Sequence, residues 1–398
     1  MKKFLMAVLS LFMVMTLVGC SNSTPSDGGN TDGGSEDGIV TIKLGGSGPT
    51  SGGAAVYGQA VYNGALLAVN EINALNSGFK FDFRFEDDAH DPEKAVSAYG
   101  ALKDWGMQLS LSCTTSGPAA AVSPMLAEDK IFAITPSGSN PAVTFADILD
   151  PTSYFGNVFQ MCFTDPSQGE LSAQYIKEHN LASNVAVIYK NDDNYSKGIY
   201  DTFVEGANEY GLNIVYTGTF DDSSATDFSV QVSEANKNGA DLVFLPMYYE
   251  PAALIMDRAN KDGYKPIFFG VDGMDGILTL AGFDTSLAEG TYLLTPFSAD
   301  AKDEFTANFV KNFKEQYGET PIQFAADAYD CVYAIYQALQ NANVTGGMSN
   351  EELCDAMVKE FTSMTFTGTT GTSQWEVTGE VSKSPMAVRI ENGVYVGQ

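Results

Sequence analysis

From residue 39 onward, short apolar runs rich in β-formers alternate with longer stretches of helical periodicity, a pattern few folds accommodate. Residues 39–45 read as a strand. Residues 57–75 read as a helix, with Val61, Ala65, Ala68, Ile72 and Leu75 on one stripe, and 79–85 as a second strand. Asp91-Pro92-Glu93 starts a helix, since Asp caps well and Pro fits the first turn. Residues 109–112 and 131–135 read as strands on either side of a helix over 119–128. The pattern then begins again. Asp165-Pro166-Ser167-Gln168 is a second cap-plus-Pro start, with Asp165 at the cap and Gln168 at the capping-box position. Strands over 184–189, 213–220, 241–246 and 266–271 alternate with helices over 199–210, 228–238 and 251–262. Residues 381–396 read as an antiparallel addition. Two such series predict an α/β protein of two doubly wound lobes, each a parallel sheet covered by helices.

The N-terminus predicts where such a body works. Lys2 and Lys3 precede an apolar run over 4–18 that is short for a membrane span, and Gly19-Cys20 follows. Leu17-Val18-Gly19-Cys20 resembles a bacterial lipobox, which implies removal of residues 1–19 and lipidation of Cys20. Two or more acyl chains would anchor the protein stably to a membrane. Residues 21–38 hold no large apolar side chain and read as a flexible tether. The remaining 39–398 suffices for two domains.

The formal charge is −29. Such acidity argues against nucleic acid, whose recognition needs a basic footprint, and against docking on anionic lipid. The irregular spacing of Cys113, Cys162, Cys331 and Cys354 offers no zinc signature, and buried thiols are the expectation. Glu86–Asp91 reads as a strand end and helix cap rather than a metal cluster. Asn191–Asn194 lacks the glycine and terminal glutamate of a calcium loop. Gly45-Gly46-Ser47-Gly48 is followed by no phosphate-binding motif. The sequence therefore calls for no metal and no cofactor. An enzyme is the weaker reading, because His90 and His179 are the only histidines and no G-x-S-x-G occurs.

In open α/β sheets, ligands sit outside the carboxyl ends of strands. That singles out 46–58, 113–117, 135–141, 190–198, 247–250 and 272–275, segments rich in Gly, Ser, Thr and Tyr. Hydroxyls and free N–H groups suit a carboxylate, the isolated Asp272 suits an ammonium, and tyrosines suit an aliphatic or aromatic side chain.

At these residues the chain resembles the solute-binding proteins of ABC transporters for leucine, isoleucine, valine and related amino acids. The resemblance is carried in order by GSGPTSGGAAVYGQ, EDDAHDPEKAV, SCTTSGPA, ITPSGSNP, YYEPAALIMDRA and FFGVDGMDG, and covers nearly all of 39–398. It implies the periplasmic-binding-protein type I fold, two Rossmann-like lobes joined by three hinge crossovers. On that pattern lobe one is 39–160 with 297–358, and lobe two is 161–296 with 359–398. The resemblance places Thr114, Thr115 and Ser116, then Ser137, Gly138 and Ser139, on the ligand's carboxylate. It places Asp272 on the ammonium, and Tyr57, Tyr195, Tyr249 and Phe324 on the pocket wall, with Tyr248 a competing register for Tyr249.

Four departures stand out. His90 occupies a position where some relatives pair a cysteine with the loop cysteine, so Cys113 is expected free. Gln160 replaces a frequent arginine, Ser139 a threonine, and Asp272 a glutamate. The implied function is capture of a small, branched-chain or other aliphatic amino acid by a monomer that hands it to an ABC permease. A sensor built on the same trap is the alternative.

Overall fold

The computed structural model describes residues 38–383 and 385–398. The expected leader, Cys20 and nearly all of the linker lie outside the described residues. The first half runs β1 (Val40–Gly48), α1 (Ala55–Ala74), β2 (Phe79–Asp87), α2 (Pro92–Trp105), β3 (Leu109–Cys113), α3 (Ser116–Glu128), β4 (Phe132–Thr135) and β5 (Val158–Gln160). The second runs α4 (Asp165–Glu178), β6 (Asn184–Lys190), α5 (Asn194–Tyr210), β7 (Asn213–Phe220), α6 (Ser229–Lys237), β8 (Leu242–Leu245), α7 (Tyr249–Lys261), β9 (Ile267–Gly270) and β10 (Tyr292–Thr295). Helices α8 (Glu304–Tyr317), α9 (Gln323–Asn341) and α10 (Asn350–Phe361) follow, then β11 (Phe366–Gly368), β12 (Gly371–Trp375), β13 (Val381–Ser382), β14 (Met386–Glu391) and β15 (Val394–Gly397).

The two expected parallel sheets are present, and they share one topology. The first is ordered β2-β1-β3-β4-β5 and the core of the second β7-β6-β8-β9-β10, each parallel throughout. Every residue of β3, β4, β5 and β8 is buried, as parallel strands covered on both faces require. Strand order reverses between β1 and β3 and between β6 and β8, which opens a crevice at the carboxyl end of each sheet. The expected antiparallel addition is also there: β14 pairs β10 and β15 pairs β14.

The expected division of the chain at residue 358 needs correction. Residues 359–382 pack on the first sheet, not the second. The Phe361 ring lies 4.6 Å from Phe132 and 4.7 Å from Trp375. Trp375 Nε1 donates to Gln160 O at 2.7 Å, and Gln160 N to Gly379 O at 2.9 Å. The small sheet β11-β12-β13 thus extends the first lobe past β5. Only 386–397 join the second sheet, so the third crossover lies between β13 and β14.

Helix starts also differ in detail. Thr164, not Asp165, caps α4, accepting from Ser167 N, and Gln168 does not return to the cap. Asp193 accepts from Ser196 N at 3.0 Å, so α5 begins five residues before the expected 199 and carries Tyr195 in its first turn. The α2 start is as read: Asp91 accepts from Glu93 N and Lys94 N, and Pro92 follows.

Helices α1 and α9 cross closely enough that a Cβ on Gly64 would sit 2.0 Å from Ala325 O. Gly64→Ala should therefore destabilise the protein by about 1–3 kcal/mol, the scale of over-packing against backbone. Gly100→Ala, where an added Cβ meets nothing within 4 Å, should be neutral or stabilising by about 0.5–1 kcal/mol. Urea denaturation of the two variants measures both.

Candidate ligand-binding site

The strand-end segments of the two sheets meet each other. Tyr57, near the start of α1, is fully buried. Its hydroxyl donates to Gly273 O and accepts from Tyr249 N, the latter at 3.2 Å. Its ring packs on Phe324 (centroids 4.5 Å), Tyr249 (5.1 Å) and Tyr248 (5.2 Å). Tyr249 also donates to Gly53 O at 2.9 Å. Asn140 Nδ2 reaches from the loop after β4 to Asp165 Oδ2 at 2.8 Å and Asn194 O at 3.0 Å. Gln323 N donates to Asp275 Oδ2 at 2.8 Å. All of these bonds join one lobe to the other, so the cleft is closed.

Asp272 follows β9 in a short 3₁₀ turn and is almost wholly buried. Tyr195 donates to its Oδ1 at 2.5 Å, and the same phenolic oxygen accepts from Gly273 N at 2.9 Å. Gln168 Oε1 accepts from Asp272 N at 3.2 Å. Burial pushes the carboxyl up to about 6, while Tyr195, Gln168 and the Gly273 amide pull it down. Glycine is required at 273, because a Cβ there would lie 2.5 Å from the Tyr195 hydroxyl and 2.9 Å from Tyr248 Cδ1.

The hydroxyl loops are stitched together. Thr114 Oγ1 donates to Ser47 O at 3.2 Å. Ser116 Oγ accepts from Ser139 N and Asn140 N, each at 3.2 Å. Gly138 N is occupied by Thr135 Oγ1 at 2.8 Å. Thr115 makes no cap bond to α3, and its Oγ1 lies 2.9 Å from His90 Nδ1. Ser137 is buried in the same loop, and Ser139 Oγ is buried with no hydrogen-bond partner.

Thr114–Ser116, Ser137–Ser139, Tyr57, Tyr195, Tyr249, Phe324 and Asp272 thus all lie where the facing strand ends meet, but in unequal circumstances. Thr114, Thr115 and Ser116 bond to neighbouring segments, and the Gly138 amide is taken by Thr135 at the start of its own loop. Of the two competing tyrosines, Tyr249 is tied to Gly53 and Tyr57. Tyr248 stacks on Tyr195, with centroids 4.9 Å apart and planes at 6°, and so backs the Asp272 side.

Sequence reasoning passed over Asn140, Asp165 and Gln168. The sequence motif makes Asp165 a cap and Gln168 a capping-box residue, which directs their chemistry to the helix. In the structure Asp165 Oδ1 and Gln168 Nε2 are buried without partners, like Ser139 Oγ. Ser139 lies close enough to Asp165 to pull its pKa down, without ordinary hydrogen-bond geometry, while burial pushes it well up. Unpartnered buried polar atoms are costly, and a polar ligand would satisfy them. Gln160, which replaces the frequent arginine, donates from Nε2 to Gly138 O at 2.7 Å and so braces the loop.

The four described cysteines are free, Cys113 among them, with its Sγ beside Ser47 Oγ at 3.2 Å. Among the described residues, no group of three or more His, Cys, Asp or Glu could hold a metal ion. A cavity of about 500 Å³ opens elsewhere, beside Leu278, Phe297, Ile322 and Tyr395; its wall is mostly apolar and the hydroxyl loops do not reach it.

Two sheets of one topology, facing each other across a closed cleft with their strand ends inward, define a two-lobed solute-binding protein. The family model for periplasmic binding proteins matches residues 41–393, and the chain belongs to that family. It is 28% identical over 310 residues to Leu/Ile/Val-binding protein homolog 3 of Brucella melitensis, covering 76% of this chain and 80% of the relative. The branched-chain amino acid substrate-binding protein LivJ of Streptococcus pneumoniae, solved in complex with isoleucine, superposes with a TM-score of 0.78 at 26% identity. That match covers 90% of this chain and all of LivJ. The leucine-binding protein LivK of Thermotoga maritima gives the same TM-score at 24% identity over 90% of this chain and 97% of LivK, a likeness of fold.

The raised carboxyls have a measurable consequence. An unfolded Asp titrates near 3.9, whereas Asp272 and Asp275 are each held at about 6 by burial. Between pH 4 and 6 the folded protein binds more protons than the unfolded chain, so stability falls as pH rises through that window. The ligand-free protein should melt higher at pH 5 than at pH 7, and Asp272→Asn should flatten that slope. Melting curves of both proteins over pH 4–7 decide it.

Proposed function

We propose that this protein captures a small amino acid, branched-chain or otherwise aliphatic, between its lobes and delivers it to an ABC permease. In this reading Cys20 carries lipid that tethers the body to the outer face of a membrane, and residues 1–19 are a leader. The family is one of extracytoplasmic solute-binding proteins, and the relatives named for leucine, isoleucine and valine support the ligand class.

The observation that carries the reading is the pairing of unlike chemistry across one cleft. A buried carboxylate, Asp272, is held ready on the second lobe by Tyr195. Hydroxyl-bearing loops stand across the cleft on the first lobe, one of them bonded to Asp165 through Ser139 O; there Ser139 Oγ is unpartnered and Thr115 is free of its helix. Aromatic rings fill the side-chain end. A zwitterion engages both lobes at once, so its binding energy goes to the closed form in preference to the open one. That difference is what shifts a conformational equilibrium. Binding, not bond-making, is the activity.

The test is a thermal-shift panel of amino acids, amides, aromatic acids and sugars on the compact body Ser35–Gln398. A native-state ligand raises the melting temperature by mass action. Leucine, isoleucine or valine should give a shift; a shift with sugars or aromatic acids and none with amino acids would refute the ligand class. Calorimetry on Asp272→Asn should show affinity lost by a factor on the order of 10–100, the scale of a charged hydrogen bond. Wild-type affinity should also fall below about pH 6, as the Asp272 carboxylate is protonated.

A further inference from the structure

The turn joining β2 to α2 is strained, and it serves one side chain. Ala89 and His90 both lie in the left-handed region, at φ 48° and 60°, which non-glycine residues seldom adopt and which tends to be retained at ligand clamps. Asp87 Oδ1 accepts from Ala89 N and Asp88 Oδ1 from His90 N, each at 3.0 Å, so the turn is held in that shape. The imidazole it presents has Nδ1 2.9 Å from Thr115 Oγ1. The same ring meets Tyr248 edge-on, with centroids 5.3 Å apart and planes at 86°. Tyr248 stacks on Tyr195, and Tyr195 holds Asp272. A continuous series of contacts therefore runs from Thr115 through His90, Tyr248 and Tyr195 to Asp272. Its first two members belong to the first lobe and the rest to the second.

We propose that His90 is a positioning residue that couples closure of the cleft to its grip, by fixing the Thr115 hydroxyl on one side and receiving the Tyr248 ring on the other. The coupling to ligand rests on the reading that Thr115 and Asp272 face the two ends of an amino acid. The contact with Tyr248 can form only when the lobes are together. Closure therefore completes the support of Thr115 at the same moment that it brings Asp272 into place.

The charged groups around the ring are Asp91 on its own turn and Lys190, Asp193 and Asp222 from the second lobe. Burial dominates and lowers the imidazole's pKa; Asp193, Asp222 and Asp91 oppose that and Lys190 adds to it. The closed form thus favours the neutral ring, and Nδ1 faces the Thr115 hydroxyl, which can donate or accept.

His90→Asn separates this role from simple structural support. Asn tolerates the left-handed backbone and keeps an amide within reach of Thr115, but removes the ring. Hydrogen exchange of the full chain without ligand reads closure through two interlobe amides, Tyr249 N (on Tyr57 Oη) and Gln323 N (on Asp275 Oδ2). In His90→Asn both should exchange about three- to tenfold faster, the scale of one aromatic contact, while Leu111 and Val187 in the buried strands keep their wild-type rates. Unchanged exchange at the two interlobe amides would overturn the proposal, as would acceleration throughout both sheets, which would mark a merely structural residue. With leucine, the variant should dissociate faster by a similar factor. A double substitution with Thr115→Ala should be less than additive in affinity, and strict additivity would refute the coupling. If no amino acid binds the wild type, the ligand reading fails and the exchange data still decide the role of His90.

Discussion

The closed structure depends on a carboxylate kept where a carboxylate is expensive. Asp272 is buried between two lobes, and its cost is met by a phenol, the backbone amide of Gly273, and an amide from the first turn of α4. Each support fixes another part of the molecule. Tyr195 reaches Asp272 because Asp193 caps α5 early. Tyr248 is held against Tyr195 because Tyr249 opens α7 and is tied to the first lobe. Gln168 reaches the Asp272 amide because Thr164, one residue before the expected position, caps α4. The second-lobe half of the site is thus three helix N-termini arranged around one acid, which is what a crevice at the carboxyl ends of a 2-1-3-4-5 sheet provides.

The first lobe contributes differently. Its hydroxyls outnumber those left free, because Thr114 and Ser116 join β1, β3 and β4 loop to loop. That stitching leaves Ser139 Oγ without a partner, and Thr115 bonded to His90 rather than to its own helix. Rigidity on one side and a balanced acid on the other are complementary: a loop already ordered by its own hydrogen bonds loses little entropy when a ligand arrives. Among the buried polar atoms without a partner are Ser139 Oγ on the first half and Asp165 Oδ1 and Gln168 Nε2 on the second.

Much of this was legible in the sequence, for definite reasons. Buried parallel strands such as 184–189 are continuous apolar runs bounded by turn residues, and Asp91-Pro92 states its cap outright. The loops that follow those strands could be named in advance because topology puts ligands there. What the sequence could not convey was which of several adjacent polar residues would be consumed locally. Thr114, Thr115 and Ser116 look alike as letters; only packing shows that Thr114 is bound to β1, Thr115 to His90 and Ser116 to the loop after β4. Asp165 and Gln168 fit a capping motif so well that their other use was hidden. Residues 359–382 went to the wrong lobe because short strands carry no address. Phe361 and Trp375 set their place, through contacts with Phe132, Phe159 and Gln160 that are more than two hundred residues away in sequence.

That reassignment alters how the hinge is held. With the third crossover between β13 and β14, Lys383 stands at the passage between lobes, and its side chain is almost completely buried. Its ammonium lies 3.3 Å from Asp327 Oδ1 and donates to Thr370 Oγ1 at 2.6 Å. One turn along α9, Asp330 accepts from the backbone and hydroxyl groups of both Thr369 and Thr370. Asp327 is nonetheless pushed up to about 7, chiefly by burial, with Lys383 pulling it down and Asp330 and Asp272 raising it. A lone lysine therefore balances a crossover that runs past several buried acids. Removing one partner of such a pair leaves an uncompensated charge, so the crossover is fixed in place by electrostatics as well as by chain connectivity. A hinge of this kind pins the end of the small sheet to α9.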